Sequence, residues 1–124
     1  MDKISLKQKK LIEANALAFA TVDGKNNPHC ISVGFAKVVS PREILITNNC
    51  MVETIKNIKR NPKMALAVWS KNWKSNCEGY EIRGRAKYFT SGKWYKKVKS
   101  LPENKGFSCR GAILVKVEKI KKLA

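Results

Sequence analysis

The chain has 124 residues, room for one domain (1–124) with a core of modest size. Its apolar share, 44%, is ordinary for a globular protein, and no apolar run reaches the roughly 20 residues of a membrane span. Twenty-six Lys and Arg against nine Asp and Glu leave a formal charge of +17, which reads as a nucleic-acid footprint or as a solvated lysine-rich surface. The lysines are scattered, with no arginine-rich tail and no aromatic RNA-binding signature, so the solvated surface is the preferred reading. Cys30, Cys50, Cys77 and Cys109 lack any Cys-x-x-Cys pairing and the chain has one histidine, which argues against zinc. Reduced, mostly buried thiols are expected instead. Lysines followed by Ala14 to Val22 faintly mimic a leader peptide. Glu13 and Asn15 interrupt that run and no cleavage site follows, so a cytoplasmic protein is expected.

In chain order, Ser5 to about Asn15 reads as a helix with Ser5 as N-cap. Leu17 to Val22 is a strand, turned by Asp23-Gly24-Lys25-Asn26-Asn27-Pro28 into a second strand from His29 to Val38. Ser40-Pro41-Arg42 turns into a third strand from Glu43 to Thr47. Val52, Ile55 and Ile58 then recur at helical spacing, with Lys56, Lys59 and Arg60 facing elsewhere, and Asn61-Pro62 stops that helix. Met64 to Trp69 is an apolar run fit for a strand covered on both faces. From Tyr80 to Tyr88, apolar or small residues alternate with Glu81, Arg83, Arg85 and Lys87, the pattern of a half-buried strand. Ser91 precedes a helix carrying Trp94, Val98 and Leu101, whose lysines form the opposite, solvated face. A last strand runs from Ala112 to Ile120. These elements predict a mainly β protein with short helices, a small antiparallel barrel of about six strands with helices at its mouth.

The richest segment for function is Thr47 to Pro62: a strand end, a polar turn, a short helix and a proline stop. A helix N-terminus with free N–H groups beside hydroxyls and amides suits an anion, phosphate above all. No Walker-type glycine loop is needed for that.

In this order and spacing the segments resemble the FMN-binding split-barrel family related to pyridoxamine 5′-phosphate oxidase, most of all its short stand-alone members. The resemblance rests on Ala18 to Gly24 through Pro28-His29 and on Ile44 to Asn48 with the following helix. It rests further on Asn57 to Leu66, on Gly79 to Ala86 and on Gly111 to Val117. It covers about residues 14 to 121. It implies a split β-barrel and a homodimer holding two FMN molecules at the subunit interface.

What the family places around its cofactor maps onto Ile31, Ser32, Val33 and Gly34 along the flavin ring, and onto Thr47, Asn48, Asn49, Cys50, Met51 and Thr54 near the ribityl chain and phosphate. Each also has an ordinary structural reading: Ser32 a strand residue, Asn48 or Asn49 a helix cap, Met51 core filler, Cys50 packing. Relatives commonly carry a lysine just before the threonine. Here that position is Glu53, so the cation would come from Lys56, Arg83 or Arg85. By the same resemblance, Phe107-Ser108-Cys109-Arg110 and Leu123 reach toward the partner's flavin.

His29 has no triad-like neighbour in the sequence and reads as structural, so no catalytic side chain is named. Trp69 and Trp73 flank Lys71 and Lys74 and read as a dimer contact rather than a stacking platform. The expected function is noncovalent FMN binding with a redox role, as an oxidoreductase or flavin reductase on a small molecule, or as an electron carrier steered to an acidic protein. The alternatives are a basic nucleic-acid-binding barrel without cofactor, and a split barrel that uses the deazaflavin F420 or has lost its flavin.

Overall fold

A computed structural model describes residues 1–123. The chain runs α1 (Leu6–Ala14), β1 (Leu17–Val22), β2 (Pro28–Val33), β3 (Ala36–Ser40), β4 (Glu43–Asn48), α2 (Glu53–Arg60), β5 (Lys63–Trp69), β6 (Gly79–Phe89), α3 (Gly92–Ser100) and β7 (Gly111–Lys122), with a 3-10 turn at Pro102–Asn104. The strands form one antiparallel sheet in the order β2-β1-β5-β6-β7-β4-β3. β2 and β3 are neighbours in sequence yet stand at opposite ends of that order. Only Gly34 and Phe35 separate them, so the two ends come within about 11 Å of each other. No ladder joins them, and the sheet is a split barrel.

The described residues form seven strands where the sequence predicts about six. The strand expected from His29 to Val38 breaks at Gly34-Phe35, because its first half pairs with β1 and its second half with β4. The inward positions shift phase there, from His29, Ile31 and Val33 to Ala36 and Val38, because Gly34-Phe35 turns the chain between its two partner strands.

The core lies inside the curl. Leu17 and Phe19 of β1, Ile44 and Ile46 of β4, Leu66 and Val68 of β5, and Ile113, Val115 and Val117 of β7 are all buried there. Leu45 faces the other way and joins Val98, Ala112 and Leu114 in a second cluster beneath α3. That explains why Ile44-Leu45-Ile46 is apolar at every position: β4 is covered on both faces. β5, expected to be covered on both faces, is not. Met64, Leu66 and Val68 point inward, while Ala65 and Ala67 are half-buried on the outside of the chain. β6 alternates as its sequence predicts, with Arg83, Arg85 and Lys87 exposed. Gly84 sits where the β6–β7 register shifts, and a Cβ there would collide with the Lys116 carbonyl oxygen.

The helices close and brace the barrel. α1 begins with a reciprocal cap: the Gln8 N–H donates to Ser5 Oγ (3.1 Å) and the Ser5 N–H to Gln8 Oε1 (2.9 Å). From its far end, a Glu13 carboxylate oxygen accepts the Val38 N–H (2.8 Å), which occupies part of the β3 edge. α2 packs against β6, β1 and β2. α3 lies on the outer wall over β7 and β4 and not at a mouth, since its apolar stripe meets Leu45 and Leu114. Ser91 stands at its N-cap position without a side-chain capping bond. In the β1–β2 turn, Asp23 Oδ1 accepts the N–H groups of Lys25 and Asn27, which holds its carboxyl below the usual range. Asn26 takes the left-handed conformation there (φ 64°), which Asn tolerates.

The expectation of buried thiols fails. Cys30, Cys50 and Cys77 are exposed and Cys109 is half-buried, all four unpaired. Cys30 and Ser32 sit on the outward-facing alternation of β2, a strand with little packed against that side.

Candidate functional site

A cleft of about 670 Å³ opens between the β2 edge, the end of β4, the turn into α2 and the loop after α3. Of the residues that the sequence points to, Ile31, Ser32, Val33, Thr47, Asn49, Cys50, Met51 and Thr54 line it. Segments far apart in sequence meet here because β2 and β4 belong to opposite ends of a sheet that curls.

Asn48 does not line the cleft. It is buried beneath the turn, where Oδ1 accepts the Met51 N–H (2.7 Å) and Nδ2 donates to the Tyr88 hydroxyl (2.9 Å). Its carbonyl accepts the Arg110 N–H (2.8 Å). Asn48 therefore fixes the shape of residues 48–51 and ties them to β6. Asn49, next to it, turns the other way, and its buried Oδ1 has no hydrogen-bond partner among the described residues.

Thr54 is the most telling side chain. It is 1% exposed, and its hydroxyl has no partner among the described residues. An unmet buried hydroxyl costs about 1–3 kcal/mol, so such groups are rare in native proteins. It stands in the first turn of α2, whose N-cap position, Val52, offers no side-chain acceptor. The first-turn N–H groups and the Thr54 hydroxyl thus share one small volume of the cleft. Together they can donate hydrogen bonds to an anion, with the helix dipole favouring negative charge.

The ionisable side chains of the lining are His29, Cys50, Glu53 and Glu103, with no lysine or arginine among them. None of the three cations considered in place of the missing lysine belongs to it. Arg83 pairs with Glu81 (3.1 Å) and Arg85 with Glu118 (3.2 Å), both on the outer sheet face, and Lys56 is exposed on α2. Glu53, also exposed, sits at the cleft mouth in the helix's first turn.

The sequence reading missed His29, Phe35, Val52, Glu103 and Asn104 as lining residues, while Gly34, part of the segment placed along the ring, does line the cleft. Gly34 interrupting a strand pattern was an available signal for the corner. Asn104 had none: a 3-10 turn after α3 delivers it, and its Nδ2 lies 2.8 Å from Thr47 Oγ1 and 2.6 Å from the Val98 carbonyl oxygen. That anchor sets Phe107 at the mouth, with its ring largely exposed.

The family model for pyridoxamine 5′-phosphate oxidase matches residues 6–124, and the chain belongs to that family. An uncharacterised protein of Methanocaldococcus jannaschii, MJ0282, is 27% identical over 124 residues, a match spanning 95% of this chain and 79% of that one. Among solved structures, HupZ of Group A Streptococcus has the same fold, with 24% identity and a TM-score of 0.88 over 97% of this chain and 94% of the other. An FMN-binding protein from Syntrophomonas wolfei follows at 17% identity and a TM-score of 0.78, covering 94% and 83%. No helix among the described residues is long and apolar enough to cross a membrane.

Proposed function

We propose that the protein is a flavoprotein that binds FMN noncovalently in this cleft and acts in flavin redox chemistry. The observation that carries the reading is the buried, partnerless Thr54 hydroxyl at an uncapped helix start, in a chain of this family. The residues fit the group. Thr54 and the first-turn N–H groups of α2 would hold the phosphate, and the unmatched Asn49 Oδ1 would accept a ribityl hydroxyl. Ile31, Ser32 and Val33 would lie along the ring, with β2 edge amides available to its polar rim. When bound, the flavin supplies reversible electron or hydride transfer. The chain itself supplies orientation, a wall of Met51 and Phe107 that keeps water out, and dipoles at the phosphate.

A homodimer belongs to the same reading. Ala18, Ala20, Ala65 and Ala67 make a flat, small-residue surface on the outside of β1 and β5, and Trp69 continues it, 47% exposed. Trp73 and Leu123 expose further apolar area beside it. An apolar face of this kind suits a second copy packed about a two-fold axis.

The test is a visible absorption spectrum of the freshly purified protein, chromatography of whatever heat releases, and sedimentation to count subunits. One FMN per chain on a dimer is the expected result. Released F420 would transfer the cleft to a deazaflavin. A colourless protein that takes up neither cofactor would refute the reading. Steady oxidation of a reduced nicotinamide marks a reductase, and its absence in the loaded protein marks a carrier.

A further inference from the structure

Like charges stand directly opposite one another across the outer face of the sheet. In the β5–β6–β7 register, Lys63 faces Arg85 and Arg85 faces Lys116; one step along, Arg83 faces Lys119. Such rungs are destabilising by themselves. The carboxylates at hand relieve them only in part: Arg83 and Arg85 each pair with one, at half-exposed sites where an ion pair is worth little.

These rungs lead into a groove of about 820 Å³ between α3 and the β6–β7 surface, sharing no lining residue with the cleft described above. Four cations line it, Arg85, Lys87, Lys93 and Lys116, against one carboxylate, Glu43, which faces Lys116 and accepts the Ser40 hydroxyl (2.9 Å). Its floor holds two half-buried rings, Phe89 and Trp94. The Lys93 ammonium lies 4.6 Å from the Trp94 ring centroid and that of Lys87 5.5 Å from Phe89. Arg85 and Lys87 stand at the two-residue spacing of β6, with Lys116 on the neighbouring strand, Lys93 on α3 and two half-buried rings beside them. An unpaired polynucleotide presents a charge on every unit and a flat π-face between charges. Both rings also pack against Leu45, Val98, Ala112 and Leu114, so each offers the groove only its outward part.

We propose that this groove binds single-stranded nucleic acid, with phosphates on Arg85, Lys87, Lys93 and Lys116 and a base against Trp94. The site is independent of flavin binding, and it accounts for rungs of like charge that Glu81, Glu118 and Glu43 relieve only in part.

The test uses the full-length protein and a fluorescein-labelled single strand of about twenty thymidylates, read by anisotropy across a salt series. Four phosphate contacts predict a slope of log K against log salt near −3, an affinity loss of about fiftyfold between 50 and 200 mM. Reversing Arg85 and Lys116 together to Glu lowers affinity at least tenfold and flattens the slope. Reversing Lys10 and Lys25, exposed residues outside the groove, changes it far less. Trp94→Ala weakens binding by roughly five- to a hundredfold, and Trp94→Phe, which keeps a ring, restores most of it. Circular dichroism and cofactor content report whether each variant folds. Equal losses from the two charge reversals would overturn the proposal, as would a Trp94→Ala protein that folds and binds normally. Displacement by polyglutamate at matched charge would also overturn it and give the groove to an acidic protein.

Discussion

The side-chain amide of Asn57 donates a 3.0 Å hydrogen bond to the hydroxyl of Thr21, and each residue is 2% exposed. The bond joins α2 to β1 within the barrel. Asn57 lies one helical turn beyond Thr54 on the same buried face, so this contact sets how far the start of α2 projects into the cleft. Asn57→Ala leaves the Thr21 hydroxyl unmatched and opens a small void. We expect a loss of about 1–3 kcal/mol in urea unfolding, together with weaker FMN uptake. A variant as stable as the parent would mean that α2 is held by its apolar side chains, Ile55 and Ile58, alone.

Thr54 predicts the opposite balance. Thr54→Val keeps the shape of the side chain and deletes a buried hydroxyl that has no partner in the chain. The cofactor-free protein should be as stable as the parent or slightly more so. FMN affinity should fall about ten- to a hundredfold, the worth of a hydrogen bond to a charged group. Unchanged affinity in a flavin titration would put the phosphate elsewhere.

Glu53 separates folding from binding. In the first turn of α2 its carboxylate interacts favourably with the helix dipole, and at the cleft mouth it opposes a phosphate dianion. Glu53→Lys should therefore bind FMN more tightly while losing about 0.5–1 kcal/mol of stability. Calorimetry on the empty and loaded forms measures both. Unchanged or weaker binding by the lysine variant would show that the Glu53 carboxylate does not oppose the phosphate.

The cysteines should divide by exposure and by pH. Cys30, Cys50 and Cys77 are exposed, whereas burial raises the Cys109 thiol pKa, with nearby Lys99 opposing the shift. A raised pKa leaves less thiolate at a given pH, so Cys109 should be the slow site near neutrality and gain on the others as pH climbs. Of the fast sites, Cys50 alone lines the cleft, and added FMN should slow only its alkylation. Peptide mapping after timed iodoacetamide treatment reads both effects.

Much of this molecule is determined by nearest neighbours along the chain. The alternation through β6, the helical spacing of Val52, Ile55 and Ile58, and the stop at Asn61-Pro62 are local, and every element but the strand that splits into β2 and β3 lies within a residue or two of its predicted place. The resemblance carried by those ordered segments was enough to reach Thr54 and the turn before it. Pairing is not local. That β2 and β3 part at Gly34-Phe35, that Asn48 turns inward to Tyr88 while Asn49 turns to the cleft, and that Asn104 arrives beside Thr47 all depend on which strands meet. So does the burial of Thr54 without a partner, since a hydroxyl is orphaned only by what surrounds it. The like-charge rungs have the same origin: Lys63, Arg85 and Lys116 are far apart in sequence, and only the register of three strands sets them side by side.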